Sequence, residues 1–597
     1  MIKHALKILD LLDKKEKKHA ALLFFMILLM AFLDMAGVAS IMPFMAVLAD
    51  PEIINRNLML SKINSHFNFA SQESFMLASG FAVIGLLIFS QVFKAITTYF
   101  QLRFIVMREF SISKSLIERY LNKPYSWHLS QNSSDLGKNI LSETQYIVSN
   151  GLSPLFAILS QGAIIVAIIS LLIYVDPTLA ILVGLFLGVA YFSIYKLVNK
   201  KLSVMGDERV QANKERFFFV NEAFSAIKEV KIGGLEQVYL KHFQKPAFVY
   251  AKHQSSASII NQIPRFFLEA VAFGGILSLT LYLMLKDKNF SDTLPIISLY
   301  AFAGYRLMPS MQQVYGALTQ IKFSGAALTT LHSGFIDMAK DESQSVAEAS
   351  ITYKKMISLQ NISFTYPDSK TMALKDVTLE IKSNTTVGIV GKTGSGKSTI
   401  VDVVIGLLNP DVGSLVVDKE RITDINRCSW QSLIGYVPQS IFLSDDSIAA
   451  NIAFGLSKDL IDLEAVELAA KTANLHDFVV NDLEYGYSTI IGERGIRLSG
   501  GQRQRIGIAR ALYHKPQVLI LDEATSALDN LTEQAVMDAI SNLHHEVTII
   551  MIAHRLSTVK ECDQIFLLDR GKLIAMGSYN DLQKNSIDFQ ELSLGQL

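Results

Sequence analysis

The sequence predicts a membrane domain of six transmembrane α-helices, followed by an α/β domain that is built around a P-loop. Three observations predict this fold class. The chain has 597 residues, of which 50% are hydrophobic and only 18% are charged, so it is too long for one compact domain and more apolar than an average globular protein. Long apolar runs occur only before about residue 335. A glycine-rich phosphate-binding motif lies in the remainder of the chain.

This division sets the predicted domain limits. Residues 1–335 form the membrane domain, 336–350 a linker and 351–597 the P-loop domain, because the stretch DMAKDESQSVAEAS is polar and lacks apolar periodicity. The net charge is zero, so nothing global indicates that the protein binds nucleic acid. Cys428 and Cys562 have no metal-ligating partner at a useful spacing and are interpreted as reduced thiols in the cytosol.

Six segments approach or exceed the length of about 20 apolar residues that a membrane-spanning helix needs. They cover approximately 20–49, 75–100, 152–175, 178–198, 264–285 and 294–318. The N-terminal tail and the long connections 101–150 and 199–260 are rich in lysine and arginine, so both termini and both connections are predicted to be cytoplasmic. Within these connections, 124–130 and 221–231 either dock onto the P-loop domain or are ordinary amphipathic helices.

Ionisable residues inside apolar spans are costly, and each therefore needs a physical reason. The residues in question are Asp34, Lys94, Arg265, Glu269 and Arg306. Local pairing is one explanation, because Arg265 and Glu269 are four residues apart on one helix face, and Lys94 can extend to the membrane interface. The other explanation is a polar, net basic cavity in which Lys94, Arg265 and Arg306 bind an anionic substrate.

The segment PEIINRNLMLSKINSHF (51–67) follows the first span on the predicted outer side. Leu60, Ile63 and Phe67 are spaced i, i+3, i+7, which predicts a short amphipathic helix. This helix either rests on the membrane surface or caps the external loop.

The segment GKTGSGKST matches the phosphate-binding pattern G-x-x-x-x-G-K-[ST], between an apolar strand-like run and the helix-like stretch TIVDVVIGLL. Its glycines let backbone N–H groups point at phosphate oxygens, and the start of the helix adds its positive dipole end. Lys397 is predicted to reach the β- and γ-phosphates of ATP, and Ser398 to bind Mg²⁺. The other predicted ATP contacts of this loop are Gly391, Thr393, Gly394, Ser395, Gly396 and Thr399.

A second apolar run, Val518 to Leu521, ends in the acidic pair Asp522 and Glu523. After a phosphate-binding loop, such a pair is suited to nucleotide hydrolysis: Asp522 orients Mg²⁺, and Glu523 polarises the attacking water. Without that loop, two acids after a strand would indicate a solvated turn.

The pentapeptide Leu498-Ser499-Gly500-Gly501-Gln502 resembles the signature of ATP-binding cassette proteins, and other elements of that family stand in the family's order around it. They are Tyr366 before the phosphate loop, Gln439 in VPQ, residues 492–495 (GERG), Asp529 at the end of SALD, and His554 in IAHR. Six spans followed by one cassette resemble an exporter half-transporter over essentially the whole chain. The resemblance implies that the cassette also has an antiparallel β subdomain and a helical subdomain.

The same resemblance implies how the cassette works. Two cassettes meet head to tail, and each ATP lies between the phosphate loop of one copy and the signature of the other, where Ser499, Gly501 and Gln502 contact the γ-phosphate. The other implied roles are adenine stacking by Tyr366, γ-phosphate and Mg²⁺ contacts by Gln439, and positioning of the γ-phosphate and water by His554. Because Glu523, His554 and the signature are intact, we expect a homodimer with a two-fold axis.

The membrane half carries a less specific resemblance. Its segments MPFMAVLAD, PRFFLEA and YRLMPS resemble those of bacterial lipid-linked oligosaccharide flippases, the PglK type of protein glycosylation pathways. This implies a bacterial inner-membrane protein with a basic cavity for the pyrophosphate of the substrate and a polyprenyl tail that stays in membrane lipid. A multidrug, lipid A-type or peptide exporter would have the same motor. A soluble chromosome-maintenance ATPase would lack the spans, and an ATP-regulated channel would not need an intact Glu523.

Overall fold

The computed structural model describes residues 6–7, 10, 13–67, 69, 71–286, 290–339, 350–367, 369–492, 495–523, 533, 537, 546–553 and 556–594. Side chains of some helical residues within 179–190, 267–294, 333–339 and 556–557 lie outside this description. The described residues form two compact units: a helical unit within Met1–Lys123 and Gln131–Ser343, and a cassette unit within Pro124–Ser130 and Gln344–Leu597. The predicted domain limits stay predictions, because residues 340–349 lie outside the described ranges.

The described residues up to Ala339 lie mostly in helices. In chain order these are α1 (Lys14–Ala39), α2 (Ile41–Ala49), α3 (Ile53–Arg56), α4 (Leu58–Phe67), α5 (Gln72–Leu121), α6 (Tyr125–Leu129), α7 (Ser133–Gly137), α8 (Thr144–Ile147), α9 (Ser153–Val175), α10 (Pro177–Ser225), α11 (Ile227–Ile232), α12 (Glu236–Lys286) and α13 (Phe290–Ala339). Two π-helical stretches, Lys138–Glu143 and Val148–Leu152, flank α8.

The six predicted spans fall on α1–α2, α5, α9, α10, α12 and α13. Among the described residues, three helical runs are long and apolar enough to cross a membrane: Lys14–Ala49, Gln72–Leu121 and Ser133–Val175. Helix α5 has 50 residues, which is roughly 75 Å of helix at about 1.5 Å per residue and more than a bilayer is thick. The predicted end of the second span at residue 100 therefore marks a change in composition, whereas the helix itself continues.

Small residues and buried ion pairs join these long helices. A Cβ atom on Gly206 of α10 would lie 2.3 Å from the carbonyl oxygen of Phe323 on α13, so only glycine permits this approach. In the irregular helix around α8, Glu143 accepts hydrogen bonds from Arg209 at 2.8 Å and from Asn213 at 2.7 Å. All three side chains are almost fully buried, so this ion pair links the irregular helix to α10.

The described part of the cassette unit contains two β-sheets. Its strands are β1 (Met356–Phe364), β2 (Leu374–Lys382), β3 (Thr386–Gly391), β4 (Val412–Val417), β5 (Glu420–Arg421), β6 (Ile434–Val437), β7 (Val518–Asp522), β8 (Thr548–Ile552), β9 (Gln564–Asp569) and β10 (Lys572–Gly577). One sheet has the order β2-β1-β4-β5 and is antiparallel, and the other has the order β10-β9-β3-β8-β7-β6. In the second sheet the pairs from β9 to β6 are parallel, and β10 runs antiparallel to β9.

Helices of the cassette unit connect these strands or follow them. Their bounds are α14 (Lys397–Ile405), α15 (Arg427–Gln431), α16 (Ile448–Ile452), α17 (Leu463–Thr472), α18 (His476–Asn481), α19 (Gly500–Tyr513), α20 (Leu556–Val559), α21 (Tyr579–Asn585) and α22 (Ile587–Leu594), with 3₁₀ turns at Lys458–Leu460 and Gly486–Ser488. Every residue of β3, β7 and β8 is buried, as expected for parallel strands covered on both faces. The carboxyl ends of these strands carry the predicted nucleotide site, in keeping with the usual location of ligands in such sheets.

Candidate nucleotide site and membrane cavity

The phosphate loop connects the end of β3 at Gly391 to the start of α14 at Lys397. Its backbone requires glycine at three places, because Gly391, Gly394 and Gly396 have φ angles of 154°, 78° and 101°. A Cβ atom on Gly391 would also lie 2.3 Å from the carbonyl oxygen of Leu568. The loop can therefore approach β9 closely and still turn into the helix.

Lys397 is the first residue of α14, and only 6% of it is exposed. Its Nζ donates hydrogen bonds to the carbonyl oxygens of Gly391 at 2.8 Å and Lys392 at 3.2 Å. Burial lowers the pKa of Lys397, while the nearby Glu523 and Asp522 oppose that change. The loop thus holds a buried cation whose present acceptors are backbone carbonyls, which phosphate oxygens can replace.

Two further features of the loop fit a phosphate group. The Oγ of Ser395 is buried and has no hydrogen-bond partner among the described residues. Helix α14 begins after Gly396 without a side-chain cap, so its first N–H groups have no side-chain acceptor. Buried polar groups normally have partners, and a phosphate at the helix start would supply acceptors for both the hydroxyl and the amides.

The acidic pair ends β7. Asp522 is the last residue of that strand and is 8% exposed, and Glu523 follows it with a φ of 51°. A non-glycine residue in this backbone region is uncommon and is typical of functional sites. Gln439 Nε2 donates a hydrogen bond of 2.6 Å to Glu523 Oε2. The Gln439 side chain and the predicted catalytic acid therefore meet, although 84 residues separate them.

The residues predicted to hold Mg²⁺ offer the oxygen atoms that this cation prefers. Ser398 is exposed at the second position of α14, and Asp522 provides a carboxylate at the end of β7. Mg²⁺ typically takes one or two protein carboxylates together with phosphate oxygens and water. The described residues fit a cation that is held jointly by the protein and a bound nucleotide.

Helix α6 groups with the cassette unit, although both neighbouring segments of the chain belong to the helical unit. Burial raises the pKa of Tyr125 in α6, and Asp402 and Tyr366 raise it further, so this helix lies beside the predicted adenine-stacking residue. The predicted docking of 124–130 is confirmed. The segment 221–231 falls on α10 and α11 in the helical unit, and its docking stays a prediction.

Tyr366 and Asp402 lie on the same side of the cassette. Tyr366 Oη and Thr399 Oγ1 share a hydrogen bond of 3.0 Å. Burial and the nearby Asp522 raise the pKa of Asp402 to about 6. The sequence motifs do not include Asp402; its one signal is a charged residue within the apolar stretch TIVDVVIGLL.

The signature lies at the start of helix α19. Ser499 is its N-cap: Ser499 Oγ accepts a hydrogen bond of 3.1 Å from the Gln502 N–H, and Gln502 Oε1 accepts one of 2.8 Å from the Ser499 N–H. This reciprocal capping box does not use the N–H groups of Gly500 and Gly501. They remain at the positive end of a 14-residue helix, where an anion binds favourably.

Several predicted site residues lie outside the described residues. They are His554, Asp529 with the rest of residues 526–529, and Glu493 and Arg494 of the segment GERG. Their roles stay predictions.

The helical unit places Lys94 and Arg306 around one buried carboxylate. Asp34 of α1 accepts hydrogen bonds from Ser90 at 2.8 Å and from Arg306, whose Nε is 3.2 Å from Asp34 Oδ2 and whose Nη2 also bonds the carboxylate. Lys94 Nζ lies 3.9 Å from Asp34 Oδ2. Only 1% of the Asp34 side chain is exposed. The sequence identifies Asp34, Lys94 and Arg306 as charged residues in apolar spans, but it does not predict that they contact one another. It does not predict the hydrogen bond from Ser90 either.

A separate polar cavity of about 530 Å³ is bounded by α9, α10, α12 and α13. Its lining residues are Ser153, Pro154, Ala157, Tyr191, Asn261, Gln262, Arg265, Glu269, Met308, Pro309, Gln312, Gln313, Gly316, Ala317 and Gln320. Arg265 Nε donates a hydrogen bond of 2.6 Å to Glu269 Oε1, so the local pair expected at i, i+4 is present. Of the three basic residues predicted to form a cavity, only Arg265 lines this one. With one arginine and one glutamate, its described lining has no net charge.

Helix α4 lines an apolar pocket of about 420 Å³. Leu60, Ile63 and Phe67, the predicted apolar face of that helix, all line it, opposite Phe44 of α2 and Leu86 of α5. The segment after the first span is therefore helical at Leu58–Phe67, and its apolar face covers a pocket of the helical unit.

Comparisons with known proteins agree with both units. Residues 374–526 match the family described as ABC transporter, and residues 40–301 match the family described as ABC transporter transmembrane region. The ATP-dependent lipid A-core flippase of Wigglesworthia glossinidia brevipalpis is 31% identical over 483 residues, which are 79% of this chain and 80% of the relative. The ATP-dependent lipid A-core flippase of Escherichia coli (strain K12) is 29% identical over 477 residues, with 79% and 80% coverage.

A solved structure described as a bacterial Atm1-family ABC exporter with ATP bound has the same fold. The TM-score is 0.77 at 24% identity, and the match covers 98% of this chain and 99% of that chain. The chain therefore belongs to the ABC transporter family and has the exporter fold, which confirms the predicted fold class. Within that family it is a membrane ATPase that couples ATP binding and hydrolysis to the movement of a substrate.

Proposed function

We propose that the chain is a flippase for a lipid with a phosphorylated saccharide headgroup, specifically a polyprenyl-pyrophosphate-linked oligosaccharide in the bacterial inner membrane. The observation that carries this proposal is that the helical unit has two sites of opposite character. One is the polar cavity that contains Arg265, and the other is the apolar pocket lined by α4. An amphipathic lipid needs both kinds of surface.

The apolar pocket suits a section of hydrocarbon tail. All of its lining residues are apolar except Ser40 and Ser79. Leu58 and Met59 on α4 are 79% and 78% exposed, which is favourable for side chains that face lipid. Helix α4 thus offers apolar side chains both to the pocket and to its surroundings, and burial of a tail there gains about 25 cal/mol per Å² of apolar surface.

The anionic part of the substrate meets the three basic residues. Arg265 contacts it in the polar cavity. Among the described residues, Lys94 and Arg306 share Asp34 as their acidic partner, and these three residues form a charge cluster with a net charge of one positive unit. An arginine guanidinium can donate hydrogen bonds to two pyrophosphate oxygens at once, and a lysine ammonium adds a localised positive charge.

In the cassette, Lys397 and the N–H groups of the phosphate loop bind the β- and γ-phosphates of ATP, and Tyr366 stacks on adenine. The loop contacts are Gly391, Thr393, Gly394, Ser395, Gly396, Ser398 and Thr399. Ser398, Asp522 and Gln439 hold Mg²⁺, which supplies charge neutralisation of the phosphates. Glu523 accepts a proton from the attacking water, and His554 orients that water against the γ-phosphate.

The second half of each site comes from another copy of the chain. The start of α19, with Ser499, Gly500, Gly501 and Gln502, closes over the γ-phosphate bound by the partner, and Asp529 lies at the contact between the cassettes. A homodimer of this kind has two identical composite sites related by a two-fold axis. Both termini of each copy face the cytoplasm.

Mixing two inactive variants tests the composite site. Lys397→Ala and Ser499→Ala each damage both sites of a homodimer, whereas a mixed dimer retains one site with an intact Lys397 and an intact Ser499. We expect the reconstituted mixture to recover part of the wild-type ATPase rate, measured as phosphate release. Additive low activity in the mixture would contradict a site shared between copies.

Reconstitution in liposomes tests the substrate. Wild-type protein should move a fluorescent polyprenyl-pyrophosphate-linked oligosaccharide between leaflets in an ATP-dependent manner, and Glu523→Gln should not. Arg265→Ala combined with Arg306→Ala should abolish the movement, while Arg56→Ala, which changes an exposed arginine, should not. Retained movement in the double variant would contradict the proposed anion contacts.

A lipid A-core substrate is the second candidate, because the relatives at 31% and 29% identity are lipid A-core flippases. The same liposome assay separates the two candidates. ATP-dependent movement of lipid A-core without movement of the polyprenyl-linked oligosaccharide would establish the second candidate and contradict the first.

A further inference from the structure

The polar cavity contains side chains that an anion contact does not explain. Five of its lining residues carry carboxamides, namely Asn261, Gln262, Gln312, Gln313 and Gln320. Within the described part of the chain, none of these five carboxamides makes a hydrogen bond to another protein group. Each carboxamide has two N–H donors and an acceptor oxygen, so together they form a large unused hydrogen-bonding surface.

The carboxamides converge because of helix periodicity. Gln312, Gly316 and Gln320 are four residues apart on α13 and share one face, and Asn261 and Arg265 do so on α12. Since side chains from both helices line one cavity, the two faces are turned toward the same space.

Gly316 makes room for one of these groups. A Cβ atom on Gly316 would lie 2.4 Å from Oδ1 of Asn261 and 3.3 Å from its Cγ. Any larger residue on α13 would therefore push the Asn261 carboxamide out of its present position. This close fit between α12 and α13 indicates a formed site rather than a loose polar gap.

The carboxamides of the lining favour neutral groups of a ligand that both donate and accept hydrogen bonds. Arg265 and Glu269 neutralise each other at 2.6 Å, so the cavity has no excess charge. Sugar hydroxyl and acetamido groups donate and accept hydrogen bonds, as carboxamides do. Tyr191 adds an aromatic ring to the same wall, and such a ring offers an apolar face and a polar hydroxyl. The cavity volume of about 530 Å³ is within the usual range for a small-molecule site.

We propose that the polar cavity, through its five carboxamides, binds the saccharide headgroup of the transported lipid. This inference rests on the proposed function, which supplies a lipid substrate with a saccharide. Polyprenyl-pyrophosphate-linked oligosaccharide and lipid A-core share this chemistry, and the cavity recognises it in either source. Arg265, which lines the same cavity, then contacts the phosphate next to the sugar.

The test replaces carboxamides by apolar side chains of similar size in the full-length protein. The main variant is Gln313→Leu combined with Gln320→Leu. The matched control is Gln237→Leu, because Gln237 is an exposed glutamine on α12 that does not line the cavity. A second variant, Gly316→Ala, displaces Asn261 without removing any polar group. Gel filtration and circular dichroism verify that each variant is folded.

Two measurements are made on each protein. The first is saturation-transfer NMR with free chitotriose and maltotriose, which present acetamido and hydroxyl groups without a lipid. The second is the concentration of lipid that half-maximally stimulates the ATPase. It is measured for polyprenyl-pyrophosphate with and without its oligosaccharide, and for lipid A with and without its core saccharide.

We expect the double variant to lose saturation transfer from the protein to the free sugars. Its half-maximal concentration should rise about tenfold for a glycosylated lipid, as the loss of two neutral hydrogen bonds implies, and should not change for the same lipid without sugar. Gly316→Ala should show the same selectivity with a smaller effect, and Gln237→Leu should match the wild type. The lipid pair that shows the effect identifies the source of the saccharide.

Different results would overturn different claims. Equal weakening for lipids with and without sugar, or unchanged binding of both sugars and lipids, would overturn the saccharide site. A different outcome would be that sugar binding depends on Gln313 and Gln320 while no lipid stimulates the ATPase of the wild-type protein. This outcome would overturn the proposed lipid substrate and leave the saccharide site intact.

Discussion

The nucleotide site and the charge cluster of the helical unit differ in the groups that stabilise a cation away from water. Both hold a cation near a carboxylate, and this cation is buried in the case of Lys397 and partly buried in the case of Arg306. In the cassette, backbone carbonyls of the same loop hold Lys397, whereas in the helical unit Arg306 depends on Asp34, a side chain 272 residues away. The first arrangement is local and is fixed by glycine geometry. The second exists only when distant helices are packed together.

The difference indicates where each site can tolerate change. In the cassette, a phosphate can replace the carbonyl acceptors of Lys397 without leaving any charge unpaired. In the helical unit, removal of Asp34 leaves two cations, Arg306 and Lys94, next to each other in a partly buried place. Single substitutions should therefore affect chemistry in the cassette and folding in the charge cluster.

The largest expected effect is on hydrolysis, through Glu523→Gln. The amide keeps the size of the side chain but cannot accept a proton, and loss of a general base typically costs about 10²–10⁴-fold in rate. The ATPase rate, measured as phosphate release, should fall by at least ~100-fold, while binding of a fluorescent ATP analogue is retained. Glu420→Gln, at an exposed position of β5, is the matched control. Unchanged hydrolysis in Glu523→Gln would remove this residue from catalysis.

The second prediction concerns Asp34→Leu. Loss of one partner from a buried ion pair typically costs about 3–5 kcal/mol, whereas apolar replacement of both partners is often neutral. We expect Asp34→Leu to lower the thermal midpoint of helix loss, followed by circular dichroism in detergent. The double variant Asp34→Leu with Arg306→Met should recover most of the loss.

The double variant also decides between the two explanations for Arg306. If it folds but no longer moves a pyrophosphate lipid, Arg306 binds substrate in addition to pairing with Asp34. If it folds and transports normally, the cluster is purely structural. A double variant as unstable as the single variant would contradict the ion-pair explanation of the instability.

The third prediction compares two lysines in one loop. Lys397 is buried and its Nζ contacts the loop carbonyls, whereas Lys392 is exposed. Hydrogen bonds to charged groups contribute about 1.5–3 kcal/mol, so Lys397→Ala should weaken ATP binding by about tenfold to a hundredfold. Isothermal titration calorimetry measures the affinity, and Lys392→Ala should change it far less. Equal losses in both variants would indicate that net charge, rather than position, governs binding.

Sequence patterns predict what lies close along the chain. The junction of β3, the phosphate loop and α14, the position of Asp522 at the end of β7, and the start of α19 at the signature all follow from contiguous motifs. The Arg265–Glu269 pair also follows, because i, i+4 spacing is visible in one helix. The exporter fold was predicted for the same reason, since apolar spans and cassette motifs are each local signals.

Contacts between distant elements were not predictable. The sequence does not show that Gln439 meets Glu523, that Ser90 and Arg306 meet Asp34, or that Gly316 accommodates Asn261. Each of these contacts depends on the relative position of packed helices or strands. A count of basic residues likewise predicts charge but not where each side chain lies, and of the three basic residues only Arg265 lines the cavity.

The smallest expected effect is on stability, through Asp402→Asn beside the nucleotide site. Burial and Asp522 raise the pKa of Asp402 to about 6, so this carboxyl group binds its proton more tightly in the folded chain than in the unfolded chain. Its contribution to stability is therefore complete below a pH of about 4 and is lost as the pH rises through about 6. Both tryptophans, Trp127 and Trp430, belong to the cassette unit, and their fluorescence reports its unfolding.

We expect the thermal midpoint of the wild-type cassette to fall as the pH rises from 4 to 7, and Asp402→Asn to show a smaller fall and a higher midpoint at pH 7. The exposed Asp459→Asn removes the same charge at a distant surface and should follow the wild-type curve. Parallel curves for Asp402→Asn and the wild type would show that Asp402 is solvated in the folded cassette. The difference between the nucleotide site and the charge cluster would then be larger. Asp402 would be hydrated beside the phosphate loop, whereas Asp34 is buried and depends on its partners.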